Sequence, residues 1–101
     1  MEYVSFGSNK ISEIPELFGL LQNVWFCDFA NNDLTDFSNE FLGLKSVVNL
    51  WLHGNNITEL PMRLKALKSL THLLIDSKEI TNLDEIKTLL PALRIIDENN
   101  R

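Results

Sequence analysis

The stretch Val47-Val48-Asn49-Leu50-Trp51-Leu52-His53-Gly54-Asn55-Asn56-Ile57-Thr58-Glu59-Leu60-Pro61 decides the fold. Leu50 and Leu52 stand two apart, the period of a strand that buries one face. Pro61 closes the stretch with a residue that lacks a backbone donor, which suits a turn and not a ladder. The same order recurs along the chain. Val4, Cys27, Leu50, Leu73 and Ile96 follow one another at intervals of 23 residues. Five more apolar columns keep that interval: Phe6, Phe29, Leu52 and Ile75; Ile11, Leu34, Ile57 and Ile80; Ile14, Phe37, Leu60 and Leu83; Leu21, Leu44, Leu67 and Leu90; Val24, Val47, Leu70 and Leu93. A fixed period of this length marks a repeat solenoid, in which no unit buries its apolar edge alone and stacking joins the edges into one core.

Polar columns follow the same interval. Asn9, Asn32 and Asn55 share a position that Lys78 takes in the fourth unit, and Pro15 and Pro61 share another. A buried asparagine is costly unless its amide is bonded, and here it can bond backbone groups left free where each strand ends.

The pattern resembles the leucine-rich-repeat family. Val47 to Pro61 matches the signature Leu-x-x-Leu-x-Leu-x-x-Asn-x-Leu and the Leu-Pro ending of 23-residue units. Val24 to Phe37 matches with Cys27 in a leucine position, and Leu70 to Leu83 matches except at Lys78. The resemblance covers Glu2 to Arg101. It implies an α/β repeat solenoid: a short arc with a parallel sheet on its concave face and turns or short helices on its convex face. It says almost nothing about a ligand. Residues 1–101 are expected to form one domain of about four repeats. Polar Glu98-Asn99-Asn100-Arg101 would form a short C-terminal cap. In Asp84-Glu85-Ile86-Lys87-Thr88-Leu89-Leu90 the apolar residues recur at helical spacing, which predicts a short helix capped by Asn82 or Asp84. The strand at Tyr3–Phe6 would be an open edge, either covered by a partner or frayed. Ser5, Gly7 and Ser8 favour fraying.

Composition narrows the function classes. The 101 residues are 45% hydrophobic and 23% charged, as in ordinary globular chains, with a net charge of -5. An acidic chain argues against a nucleic-acid partner, since a phosphate backbone calls for a Lys/Arg surface. From Met1 to Leu44 one basic residue, Lys10, faces seven acidic ones. That half would steer a basic partner, or simply be a solvated face. The N-terminus lacks the pattern of a secretory signal, and no stretch approaches the ~18 apolar residues of a membrane span. Cytoplasmic residence is the expectation. Cys27 is the only cysteine and falls in a leucine column, so its thiol is expected to be buried and inert.

The period fixes which residues point outward. One outward column holds Tyr3, Phe26, Asn49, His72 and Ile95; the next Ser5, Asp28, Trp51, Leu74 and Asp97; the third Gly7, Ala30, His53 and Asp76. An exposed strand face is mostly polar, and Tyr3, Phe26, Trp51 and Leu74 break that rule. Apolar groups ringed by Asp28, Asp76, Asp97, His53 and His72 have the layout of an interface. The candidate partner-binding set is Tyr3, Phe26, Asp28, Asn49, Trp51, His53, His72, Leu74, Asp76 and Asp97. The plain alternative is that neighbouring aromatics only cover one another. Trp25 is expected to be partly core. Side chains on a flat strand face diverge, so no metal is expected at His53 and His72, and no cofactor either, for the chain has no phosphate-binding glycine loop. No catalysis is expected. Arg63, Lys65 and Lys68 on the convex side form either a solvated face or a basic site. The expected function is binding of another protein through the concave face. A small intracellular inhibitor, such as a bacterial toxin-neutralising immunity protein, is favoured over a scaffold, an adaptor or a recognition fragment of a longer receptor. The expected state is a monomer or an edge-mediated dimer.

Overall fold

The computed structural model describes residues 2–12, 23–37 and 39–97. Ile14, Pro15 and Leu21 of the repeat columns, and the tail Glu98–Arg101 read as a cap, lie outside these residues. Five strands form one parallel sheet in chain order: β1 (Glu2–Ser5), β2 (Val24–Asp28), β3 (Asn49–Trp51), β4 (His72–Ile75) and β5 (Arg94–Asp97). Parallel strands need return segments, and those after β2, β3 and β4 place Phe41, Leu64 and Ile86 in the core. Two of the described returns carry 3-10 helices, Asn39–Gly43 and Met62–Ala66, and the last carries a true helix, α1 (Leu83–Leu89). The α/β arc expected from the period is therefore present, with the helix where its spacing placed it.

The register follows the 23-residue period through the first four strands. Val4 pairs with Cys27, Cys27 with Leu50 and Leu50 with Leu73. Cys27, Leu50 and Leu73 are fully buried and join Phe29, Leu52 and Ile75 in the core. Burying one such side chain contributes roughly 1.5–3 kcal/mol before entropy is counted. Phe41 and Leu64 project from the two 3-10 returns into the same core. They also stand 23 apart, a seventh apolar column that the strand-based reading omits.

At β5 the period slips. Leu73 pairs with Ile95 and Leu74 with Ile96, an interval of 22. A one-residue slip exchanges the two faces of a strand. Here the tandem Ile95-Ile96 supplies an apolar residue in either register, so the pattern of the sequence could not choose between them. Ile95, expected on the outward face, packs against the core instead.

The turns after the strands show why asparagine recurs. Asn32 donates from Nδ2 to the carbonyls of Phe6 (2.9 Å) and Phe29 (3.1 Å) and accepts at Oδ1 from the Ile11 N–H (3.1 Å). Asn55 does the same one unit on, donating to Phe29 (2.9 Å) and Leu52 (3.1 Å) and accepting from Leu34 (3.0 Å). Both are buried. The residues before Asn9, Asn32 and Asn55 adopt a left-handed backbone: Ser8, Asn31 and Gly54 have φ of 60°, 58° and 76°. At Gly54 a Cβ would collide with the Asn31 side chain, so close approach, added to the left-handed φ, selects glycine there.

The fourth unit turns differently. Ser77–Glu79 is a short 3-10 turn closed by the Glu79 N–H on the Asp76 carbonyl at 2.9 Å, with Lys78 exposed. Asn82, farther along, clamps a different point of the preceding unit. It accepts from the Leu60 N–H at 3.0 Å and donates to the Leu60 carbonyl at 2.7 Å. Asn82 stands at the N-cap position of α1, yet its side chain makes no cap bond, contrary to the expected capping role. Its amide is already committed to Leu60.

Candidate functional site

Strand alternation turns every second residue away from the buried column. The paired register aligns Tyr3, Phe26, Asn49, His72 and Arg94 in one outward row, and Ser5, Asp28, Trp51 and Leu74 in the next. Aromatic rings run across three adjacent strands. Tyr3 stacks on Phe26 with centroids 4.6 Å apart and planes 24° apart. Trp51 meets Phe26 at 4.8 Å and 62°. His53 lies beyond Trp51 at 5.9 Å, and Trp25 stands edge-on to Phe26 at 6.1 Å. Phe26, Trp51, Trp25 and His53 are half-buried, whereas Tyr3 is 59% exposed. Such pairs contribute roughly 0.5–1.5 kcal/mol beyond area burial, so part of this ladder is structural in its own right.

Two of the expected face residues need correction. Leu74 is only 8% exposed, so it is no part of an open apolar patch. The register sets it beside Trp51, and an in-register neighbour lies within reach of an indole. Asp97 pairs with Ile75, a member of the inward column, rather than with Leu74. The slip that moves it also brings Arg94, exposed, into the outward row beside His72. Periodicity could not have found Arg94, because Ile95 and Ile96 serve either register equally.

The acidic residues do structural work as well. The Asp28 carboxylate accepts from the Ala30 N–H at 2.9 Å and from the Ser5 hydroxyl at 3.4 Å. Asp76 accepts from the Gly54 N–H at 2.8 Å. On the far side His72 Nδ1 lies 2.8 Å from the Thr71 hydroxyl, and Asn49 stands between Phe26 and His72 in the same row. Among the described residues no three His, Cys, Asp or Glu side chains group as a metal site.

Cys27 is fully buried behind Phe26 and Asp28 on β2. Burial, and then the charge of Asp28, push its thiol up to about 12 from 9.0. A thiol held protonated is a poor nucleophile. Because the folded value lies above the unfolded one, the associated stability is present below about pH 9 and is lost as the pH rises towards 12.

A parallel sheet whose strands recur every 23 residues, with asparagines bonded across successive turns, defines a leucine-rich-repeat arc. The structure is similar to that of a leucine-rich-repeat protein from Leptospira interrogans, with a TM-score of 0.74 and 34% sequence identity over 86% of this chain. The chain belongs to the leucine-rich-repeat family. It spans 23% of the length of that Leptospira chain. No family model and no curated protein matches it. Among the described residues no helix is long and apolar enough to cross a membrane.

Proposed function

We propose that this chain binds another protein through its concave sheet face, with Tyr3, Phe26, Asp28, Asn49, Trp51 and His53 at the centre and His72, Asp76 and Arg94 at the rim. The aromatic ladder across β1, β2 and β3 is the observation that carries the reading. A side chain such as Tyr3, 59% exposed and stacked on a half-buried Phe26, offers area at little entropic cost, the hallmark of interface hot spots. The finer reading is a small intracellular inhibitor of the immunity type, supported by the acidic N-terminal half that would draw a basic partner. The test is affinity capture with the intact chain against Phe26→Ala and Trp51→Ala. Each variant is expected to lose at least about tenfold in capture of the same partner, the penalty of a hot-spot truncation. Undiminished capture by both would reject the concave face as the interface.

A second reading makes the chain a recognition part of a longer leucine-rich-repeat protein, a scaffold or receptor. The match to about a quarter of the Leptospira chain favours it (23% of that chain's length). The two readings share the same face and differ in what lies beside it in the native polypeptide. Mass measurement of the endogenous protein separates them.

A further inference from the structure

We propose that the centre of the concave face is a seat for a cation: an arginine or lysine side chain of the partner protein laid against Phe26 and Trp51, with the Asp28 carboxylate beside it. The inference rests on the concave-face reading and names the chemistry it selects. Phe26 is held between two rings at different angles, Tyr3 nearly parallel at 24° and Trp51 steeply inclined at 62°. Rings fixed at such angles present π-faces in more than one direction, and the electron-rich face of an aromatic attracts a cation. Half-burial of Phe26 and Trp51 excludes part of the water that would screen the attraction.

The register adds a charge to the same face. Asp28 pairs directly with Trp51 across β2 and β3 and lies two residues beyond Phe26 on its own strand. Among the described residues one oxygen accepts the Ala30 N–H at 2.9 Å and the other a long bond from Ser5 at 3.4 Å. A carboxylate has about four lone-pair sites, so acceptor capacity remains. No lysine or arginine stands at an outward position of β1, β2 or β3, namely Tyr3, Ser5, Phe26, Asp28, Asn49 and Trp51. The nearest in the rows is Arg94, on β5, two strands from β3 in the row of Asn49, and on the order of 12 Å from Trp51 at ordinary strand and residue spacings. A neutral apolar partner would desolvate Asp28 without pairing it, and an acidic partner would be repelled. A cationic side chain uses the rings and the carboxylate together, and the planar guanidinium suits both.

The experiment pans a phage-displayed library of random 12-residue peptides against the intact chain, Asp28→Asn and Trp51→Leu. On the wild type, arginine and lysine are expected to rise about fivefold over the input library, the fold-change a single exposed cation–π contact supplies. Asp28→Asn keeps the acceptor for Ala30 and is expected to bring that rise close to the input level while peptides are still recovered. Synthetic copies of the best peptide with each arginine replaced by citrulline are expected to bind the unaltered wild-type protein about fivefold more weakly. Equal affinity of the citrulline peptide overturns the cation seat whatever the variants do. Peptides recovered in a Trp51-dependent way without cation preference overturn the seat and leave the concave-face reading standing. Equal recovery on wild type and Trp51→Leu rejects both.

Discussion

The turns after β2 and β3 and the turn after β4 solve one problem by different means. Where a parallel strand ends, its last carbonyls and the next N–H groups lose ladder partners and must be satisfied inside the protein. After β2 and β3 a buried asparagine reaches back one unit and bonds both sides of the turn, with a left-handed residue before it to bend the chain. After β4 the chain makes a 3-10 turn on its own, Lys78 stays in solvent, and Asn82 clamps Leu60 from farther along. The repeat is thus a requirement on backbone hydrogen bonds before it is a sequence motif. Its signature residue can be dropped where the turn closes on a hydrogen bond of its own.

If that is so, the two kinds of turn should respond unequally to mutation. Asn55→Leu removes bonds to Phe29, Leu52 and Leu34 at a buried position and leaves those backbone groups unsatisfied. A loss of about 3 kcal/mol or more in urea unfolding is expected, at 1–3 kcal/mol for each stranded group. Gly54→Ala, next to it, forces a side chain onto the Asn31 amide at a φ of 76°. About 2 kcal/mol is expected there, from strain rather than lost bonds. Asn82→Ala removes both bonds from a half-buried side chain to the Leu60 backbone and should cost about 2 kcal/mol, the low end for two stranded groups. If Asn82→Ala proved as damaging as Asn55→Leu, the fourth turn would depend on its asparagine as much as the others do, and the contrast would collapse.

Cys27 provides a kinetic reading of the same contrast. It is buried on β2, below the asparagine-held turns, and reacts with a thiol reagent only when that region opens. Labelling is expected to speed up about tenfold or more in Asn55→Leu, since 1.4 kcal/mol of opening free energy is a factor of ten. In Asn82→Ala the change should be severalfold smaller. Equal acceleration would mean that the arc opens as one unit rather than turn by turn.

Most of the fold was legible because each column of the repeat answers to a single physical demand. Cys27, Leu50 and Leu73 must be apolar to fill the stack, Asn32 and Asn55 must carry an amide, and both demands leave a fixed interval in the sequence. The last strand was legible only in part. Ile95 and Ile96 satisfy the inward demand equally, and the choice between them was made by strand pairing, which periodicity does not record. The candidate site was less legible still. Outward positions follow from alternation, but exposure depends on neighbours: Leu74 is covered and Tyr3 is open although both are large outward residues in the same reading. Nor could Asp28 and Asp76 be recognised from the sequence as turn acceptors, because the groups they bond become neighbours only once the units stack.

The smallest expected effect tests the contrast from the opposite side. Lys78→Asn restores the family residue at the one position where the column departs from it. If asparagine were favourable at this position in any unit, the substitution would stabilise the arc by the 1 kcal/mol or so that a satisfied buried hydrogen bond contributes. The structure predicts otherwise. Lys78 lies within the 3-10 turn Ser77–Glu79, whose Glu79 N–H already bonds Asp76, and its side chain is in solvent. An asparagine there would meet solvent and not the carbonyls that Asn32 and Asn55 reach. The change in unfolding free energy should stay within about 0.5 kcal/mol, the range of ordinary surface substitutions. A clear stabilisation would show that the fourth turn can be pulled into the form of the other two, and that its difference is a consequence of Lys78 rather than of the pairing around it.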